Sequence, residues 1–268
     1  MIRKTIPVVS GNHEAQLESY IIENYAEMDL ERKRPAIVIC PGGGYGMVSA
    51  REAEPIANAM IGKGLHAFVL TYSVAPTVFP TSLRQLAKSI QLIRQHAAEW
   101  HIDPDKIIVA GFSAGGHLAA SLGVMWQDEV LSDLNFPTCR PNGLLLSYPV
   151  ISSEPWGHQD SFKNLLGRNY EKDSHAQSLE KLVSPDTPPT FLWHTAEDGL
   201  VVMQNSLTFA EALQQNGVSV ELHIFAKGGH GLGLGTTETM TKEGYGIEPN
   251  VQSWINLFET WLHVMGFL

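Results

Sequence analysis

Three short segments of this 268-residue chain hold residues that could do nucleophilic chemistry together. Gly111-Phe112-Ser113-Ala114-Gly115 has the spacing G-x-S-x-G, which lets a strand turn sharply into a helix and expose a serine hydroxyl in a strained backbone. A side chain at Gly111 or Gly115 would clash with the neighbouring strand or helix, and the helix start aims free amides at developing negative charge. Serine is a weak nucleophile, so it needs a base, and the base needs an orienting acid. For a serine elbow of this kind the chain order is serine, acid, histidine. Ala196-Glu197-Asp198-Gly199 and Lys227-Gly228-Gly229-His230-Gly231 follow in that order. Asp198 is favoured as the acid because Gly199 lets the turn redirect its carboxylate, and Glu197 competes with it. His230 lies in a glycine-rich loop able to bring an imidazole over Ser113. A third loop, Cys40-Pro41-Gly42-Gly43-Gly44-Tyr45-Gly46, has no Lys-Ser/Thr pair and so is no phosphate-binding P-loop. Its better use is an oxyanion hole, with the amides of Gly43, Gly44 and Ala114 as donors.

These loops need a scaffold. Ala36–Cys40, Leu65–Tyr72, Lys106–Ala110, Gly143–Tyr148, Thr190–Thr195 and Ser219–Phe225 read as strands, several of them apolar on both faces. Helical patterns fall between them at Glu52–Lys63, Ser82–Trp100, from Ala114 on, and at Gln204–Asn216, with a last one over Val251–Val264. Alternation of this kind predicts an α/β fold: a mostly parallel twisted sheet with helices on both faces. Segments near 3–9 and Gln16–Tyr25 should pair as an antiparallel N-terminal edge. Residues 150–188 are polar and proline-punctuated, and read as an irregular insertion over the edge where ligands bind such sheets.

Composition excludes other classes. Lysine plus arginine number 18 against 28 aspartate plus glutamate, a net charge of −10, which repels nucleic-acid phosphate. With 44% apolar and 17% charged residues the chain is not disordered. No apolar run approaches the roughly 20 residues of a membrane span. Cys40 and Cys139 form no disulfide framework and no metal motif, and read as buried free thiols. The N-terminus has positive charges but no apolar signal-peptide core, so a cytoplasmic location is expected. Of the 24 glycines, 12 fall in segments 42–46, 111–116 and 228–235, so the excess is concentrated at the three candidate loops. The remaining histidines, His117 among them, read as packing or hydrogen-bonding residues.

The set Pro41-Gly42-Gly43-Gly44-Tyr45, Asp103-Pro104, Gly111-Phe112-Ser113-Ala114-Gly115-Gly116-His117-Leu118-Ala119, Asp198 and His230 resembles an α/β-hydrolase of the acetyl esterase/xylan esterase-like branch, over about residues 16 to 265. That resemblance implies one α/β-hydrolase domain over 1–268 with a short cap-like insertion at about 150–188. It implies a serine carboxylesterase acting on short-chain acyl esters, among them acetyl esters of small molecules or sugars, with no cofactor and no metal. It places nucleophile, acid and base on Ser113, Asp198 and His230, and oxyanion amides on Gly43, Gly44 and Ala114. Members often dimerise, so a homo-oligomer is compatible with it; no nucleic-acid or membrane partner is expected. Pro41 stands where lipase-like relatives carry histidine, and Ser73 where relatives often carry arginine. Tyr45 and Trp156 are the expected substrate contacts. Other activities of the same chemistry (formamidase, thioesterase, peptidase) and a catalytically silent ligand-binding member are the alternatives.

Overall fold

A computed structural model describes residues 1–268. Eight strands form one sheet in the order β1-β2-β4-β3-β5-β6-β7-β8. They span Ile2–Ser10 (β1), His13–Ile21 (β2), Arg34–Cys40 (β3), His66–Thr71 (β4), Ile102–Phe112 (β5), Gly143–Ser147 (β6), Thr190–Thr195 (β7) and Val220–Phe225 (β8). β2 runs antiparallel to both β1 and β4, and every pairing from β4 to β8 is parallel. The helices are α1 (Glu54–Ile61), α2 (Thr81–Gln95), α3 (Ala114–Met125), α4 (Phe136–Cys139), α5 (Gln159–Leu166), α6 (Tyr170–Asp173), α7 (Gln204–Gln215) and α8 (Trp254–Val264).

The side-chain period of a strand explains the layers. Along β3, Ala36, Val38 and Cys40 join one apolar cluster, while Ile37 and Ile39 join the other. The first cluster is closed by Leu83, Leu86 and Ile90 of α2, by α3, and by Phe209 and Leu213 of α7. The second is closed by Ile56 and Met60 of α1 and by Trp254, Phe258 and Trp261 of α8. Covered on both sides, the central strands can be apolar throughout, as their sequences are. The sharp turn from β5 into α3 works only without side chains. A Cβ on Gly115 would lie 2.0 Å from the Cys40 carbonyl oxygen, and one on Gly111 2.2 Å from that of Gly115.

Two expectations change. β2 stops at Ile21 rather than Tyr25: its register with β4 ends at the Tyr20–Ala67 pair, and the Ile22 amide turns to the His66 side chain, Nδ1 at 3.1 Å, instead of continuing the ladder. Residues 150–188 are not irregular: they hold α5, α6 and several 3-10 turns. Phe162, Leu165 and Leu166 make an apolar face at helical spacing on α5, and Leu165, Leu166 and Leu179 enter the main core.

Candidate active site

Ser113 sits at the apex of the β5–α3 turn with φ 54° and ψ −121°, a conformation that non-glycine residues avoid. The turn lifts Oγ clear of the sheet edge. Asp198 follows β7 and His230 follows β8, so neighbouring parallel strands deliver acid and base to the same edge. Ser113 Oγ donates to His230 Nε2 at 2.7 Å, and His230 Nδ1 donates to Asp198 Oδ2 at 2.6 Å. That polarity follows from the acceptor: a carboxylate facing Nδ1 puts the ring proton there and leaves the Nε2 lone pair for serine.

Asp198 is buried, with 4% of its surface exposed. Burial pushes its carboxyl up, but hydrogen bonds from His194 and His230, the His230 charge and the Val201 amide outweigh this and hold it well below the usual carboxylate range. Its Oδ1 accepts the amides of Leu200 and Val201 at 3.0 and 2.9 Å. Glu197, the competing acid, points outward instead. It pairs with Lys227 Nζ at 2.5 Å and lies 3.3 Å from the Gly228 amide nitrogen.

The carbonyls of the glycine loop, and the Gly42 amide, which donates to Glu52 Oε2 at 2.8 Å, hold it in place. Pro41 O accepts from the Tyr72 hydroxyl at 2.6 Å, Gly42 O from the Ser49 amide at 2.9 Å, and Gly44 O from Asn164 Nδ2 at 2.8 Å. Gly43 O accepts the amides of Gly46 and Met47 at 3.0 and 3.1 Å. The amides of Gly43 and Gly44, and that of Ala114 at the first turn of α3, donate to no acceptor in the protein. Three free donors therefore gather beside the serine, where an acyl oxygen would gain charge.

Around this group lies a cavity of about 500 Å³ lined by Gly43, Gly44, Ser113, His230 and Gly231 together with Met47, Ser49, Arg51, Glu52, His158 and Leu200. Only Met47 and Leu200 are large apolar groups. A second cleft of about 580 Å³ shares Ser49 with it but contains none of the three triad-type residues.

Two expected substrate contacts fall elsewhere. Tyr45 is 2% exposed and faces the core: its hydroxyl donates to His117 Nδ1 at 3.0 Å and its ring packs edge-on against Tyr72 and His117. An apolar ring on this turn gains more from burial behind the loop than from the polar cavity. Trp156 rides the Glu154–Gly157 turn, 40% exposed, outside the cavity lining. The insertion contributes His158 instead, whose Nδ1 shares a hydrogen bond of 2.8 Å with Ser161 Oγ. Burial, then the nearby His230 charge, lower its pKa, so the ring is neutral near pH 7. Arg51 and Glu52 have no local sequence signal; Glu52 reads simply as the first residue of a helix. Ser73, in the place of an arginine, trades two hydrogen bonds of 2.8 Å with Gln85.

Comparison with known proteins supplies the lineage. The BD-FAE family matches residues 22–213. An acetylxylan esterase from Xylanibacter ruminicola is 31% identical over 85% of this chain and 46% of its own length. An endo-1,4-beta-xylanase B from Butyrivibrio fibrisolvens is 36% identical over 77% of this chain and 34% of its own length. The chain thus spans less than half the length of these curated relatives. Among solved structures, an acetyl ester-xyloside bifunctional hydrolase from Caldicellulosiruptor lactoaceticus superposes with TM-score 0.86 at 36% identity, covering 99% of this chain and 97% of the other. The carboxylesterase Cest-2923 from Lactobacillus plantarum gives TM-score 0.88 at 31% identity, covering 100% and 99%. With an eight-stranded, mostly parallel sheet and a serine elbow at its edge, the chain belongs to the BD-FAE family of α/β-hydrolases.

Proposed function

We propose that the protein is a serine carboxylesterase that removes short acyl groups, acetyl above all, from sugars or other oxygen-rich alcohols. The observation that carries this is the hydrogen-bond line from Ser113 through His230 to Asp198, set beside three unoccupied amides. In the first half-reaction His230 Nε2 takes the Ser113 proton as Oγ attacks the acyl carbonyl. The amides of Gly43, Gly44 and Ala114 take up the oxyanion, each such donor being worth roughly 3–4 kcal/mol. His230 returns the proton to the leaving alcohol. In the second half-reaction water, deprotonated by the same imidazole, attacks the acyl-enzyme and releases the acid. Asp198 keeps the imidazole tautomer fixed and offsets the charge of the imidazolium.

The lining of the cavity supports the substrate class. Two apolar side chains suffice for a short acyl group and leave a long chain without cover. Arg51 and His158 can offer hydrogen bonds to hydroxyls of the alcohol. The similarity to an acetylxylan esterase and to an acetyl ester-xyloside bifunctional hydrolase supports it further.

The test is acetate release from acetylated xylose and xylo-oligosaccharides, beside 4-nitrophenyl esters of two to eight carbons and a Ser113→Ala control. Release of acetate from the sugars, and a chain-length optimum between two and four carbons, is expected. An optimum at eight carbons, or turnover that survives Ser113→Ala, would overturn the reading.

A further inference from the structure

The 3-10 turn Ala50–Glu52 leads from the glycine loop into α1, and it holds two adjacent ionisable residues that belong to no salt bridge in the structure. Glu52 is buried, only 4% exposed. A buried carboxylate without a cation is costly unless every lone pair it turns inward is used. Its bonds reach two different catalytic loops. Oε2 accepts the Gly42 amide at 2.8 Å, and Oε1 accepts the Tyr148 hydroxyl at 2.7 Å. The Tyr148 oxygen in turn accepts the Gly233 amide at 2.9 Å, and the Tyr148 ring lies edge-on to His230 with centroids 5.2 Å apart. Burial, then the Glu52 charge, push the Tyr148 phenol well above its ordinary value, so it stays a donor. Arg51 works on the same loop from the other side: Nη2 donates to Gly231 O at 2.8 Å and Nε to Thr239 O at 2.6 Å. The nucleophile is close as well. A Cβ built on Gly42 would lie 2.7 Å from Glu52 Oε2 and 2.9 Å from Ser113 Cβ.

We propose that Glu52 is a positioning residue for the ester hydrolysis: it ties the oxyanion loop at Gly42 to the histidine loop at Gly233, through Tyr148, and so fixes the free amides relative to Ser113 and His230. The inference rests on the esterase reading above. Its physical content is the direction of the Gly42 amide. Drawn inward onto Glu52, that amide leaves the next two, Gly43 and Gly44, to face the cavity. Both groups that Glu52 receives are donors, so a carboxylate suits the place and a carboxamide does not. With glutamine, one of the two donors meets an NH2 group. Charged acceptors also hold their donors more tightly than neutral ones.

The experiment compares wild type with Glu52→Gln, Tyr148→Phe and the double variant. It reads melting temperature, kcat and KM on 4-nitrophenyl acetate, and the Kd of a small alkylboronic acid. The boronic acid forms a tetrahedral adduct on the serine and therefore uses the oxyanion amides. Glu52→Gln is expected to lower kcat at least tenfold, with KM changed less than threefold and boronate binding weakened in step with kcat. Tyr148→Phe should give a smaller loss of the same kind. The double variant should lose less than the product of the single losses, because both act through one bond. Glu52→Gln at half of wild-type kcat or more, or a loss in KM alone with boronate binding intact, would overturn the proposal. If Glu52→Gln does not fold, Tyr148→Phe decides: a kcat loss of threefold or more with KM held supports it, and wild-type kcat overturns it. Failure of the esterase reading is separable. A wild type that binds boronate but turns over no ester retires that reading, while the boronate Kd of the variants still tests Glu52.

Discussion

The sheet edge that carries Ser113, Asp198 and His230 and the insertion that faces it differ in how they hold their groups. At the edge, each of these three residues follows a parallel strand whose neighbours fix it through the backbone ladder, and Asp198 adds two amide bonds from its own turn. The insertion between β6 and β7 has no strand. It is held by the apolar face of α5, by side-chain bonds such as Asn164 to Gly44 O, and by His117, whose Nε2 donates to Gln177 O at 3.0 Å. The difference implies a division of labour. On the proposed esterase reading, chemistry that needs sub-ångström placement sits on the ladder, and substrate contact sits on the part that can be rebuilt without disturbing it.

The comparison breaks most visibly at the acid. Asp198→Asn should lower kcat about 10³- to 10⁴-fold by favouring the wrong imidazole tautomer. Glu197→Gln, one residue away but on the solvent side, should stay within about twofold, since exposed ion pairs contribute little. Steady-state rates on 4-nitrophenyl acetate distinguish the two; equal losses would mean that the strand ladder does not select Asp198.

The joint between the two regions is next. His117 is buried and its pKa is lowered to about 4, chiefly by burial. Unfolded, the same ring titrates near its ordinary value of about 6.5. Between those values the unfolded chain takes up a proton that the native one refuses. The stabilisation is complete above about pH 6.5 and is lost as pH falls toward 4, at up to roughly 1.4 kcal/mol per pH unit. His66, also buried and lowered to about 4, adds a parallel loss at the N-terminal edge. Urea midpoints measured from pH 7 to pH 4 should therefore fall, and fall less steeply in His117→Gln. Identical slopes would show that His117 is not the neutral joint between α3 and the insertion.

The smallest effect lies in the insertion itself. His158→Ala removes one hydrogen-bonding group from the cavity while the triad stays intact. KM for an acetylated sugar should rise by about two- to tenfold, the value of one hydrogen bond, with kcat little changed. A loss of kcat beyond tenfold would place His158 with the edge rather than with the insertion.

The elbow was legible in the sequence because its requirement is local. A serine in a strained turn with helix and strand packed against both flanks needs glycine at Gly111 and Gly115, and that demand is written in five consecutive residues. The three loops were legible because each follows an apolar, β-branched or aromatic run of strand length. The positions of Tyr45 and Trp156 outside the cavity lining are not legible, for the opposite reason. Nothing within a few residues says whether a ring on a loop turns to the core or to a cavity; Tyr72 and His117 decide that for Tyr45, from 27 and 72 positions away. Glu52 was hidden in the same way, since its partners Gly42, Tyr148 and, through it, Gly233 come from three separate loops. The strand-and-helix alternation, the serine elbow and the chain order Ser113, Asp198, His230 are readable from the residues alone, because backbone sterics and side-chain period act over a few residues. Which acid reaches His230, which amides stay free and which side chains line the cavity follow from the folded chain alone, because those depend on distances between segments that packing brings together.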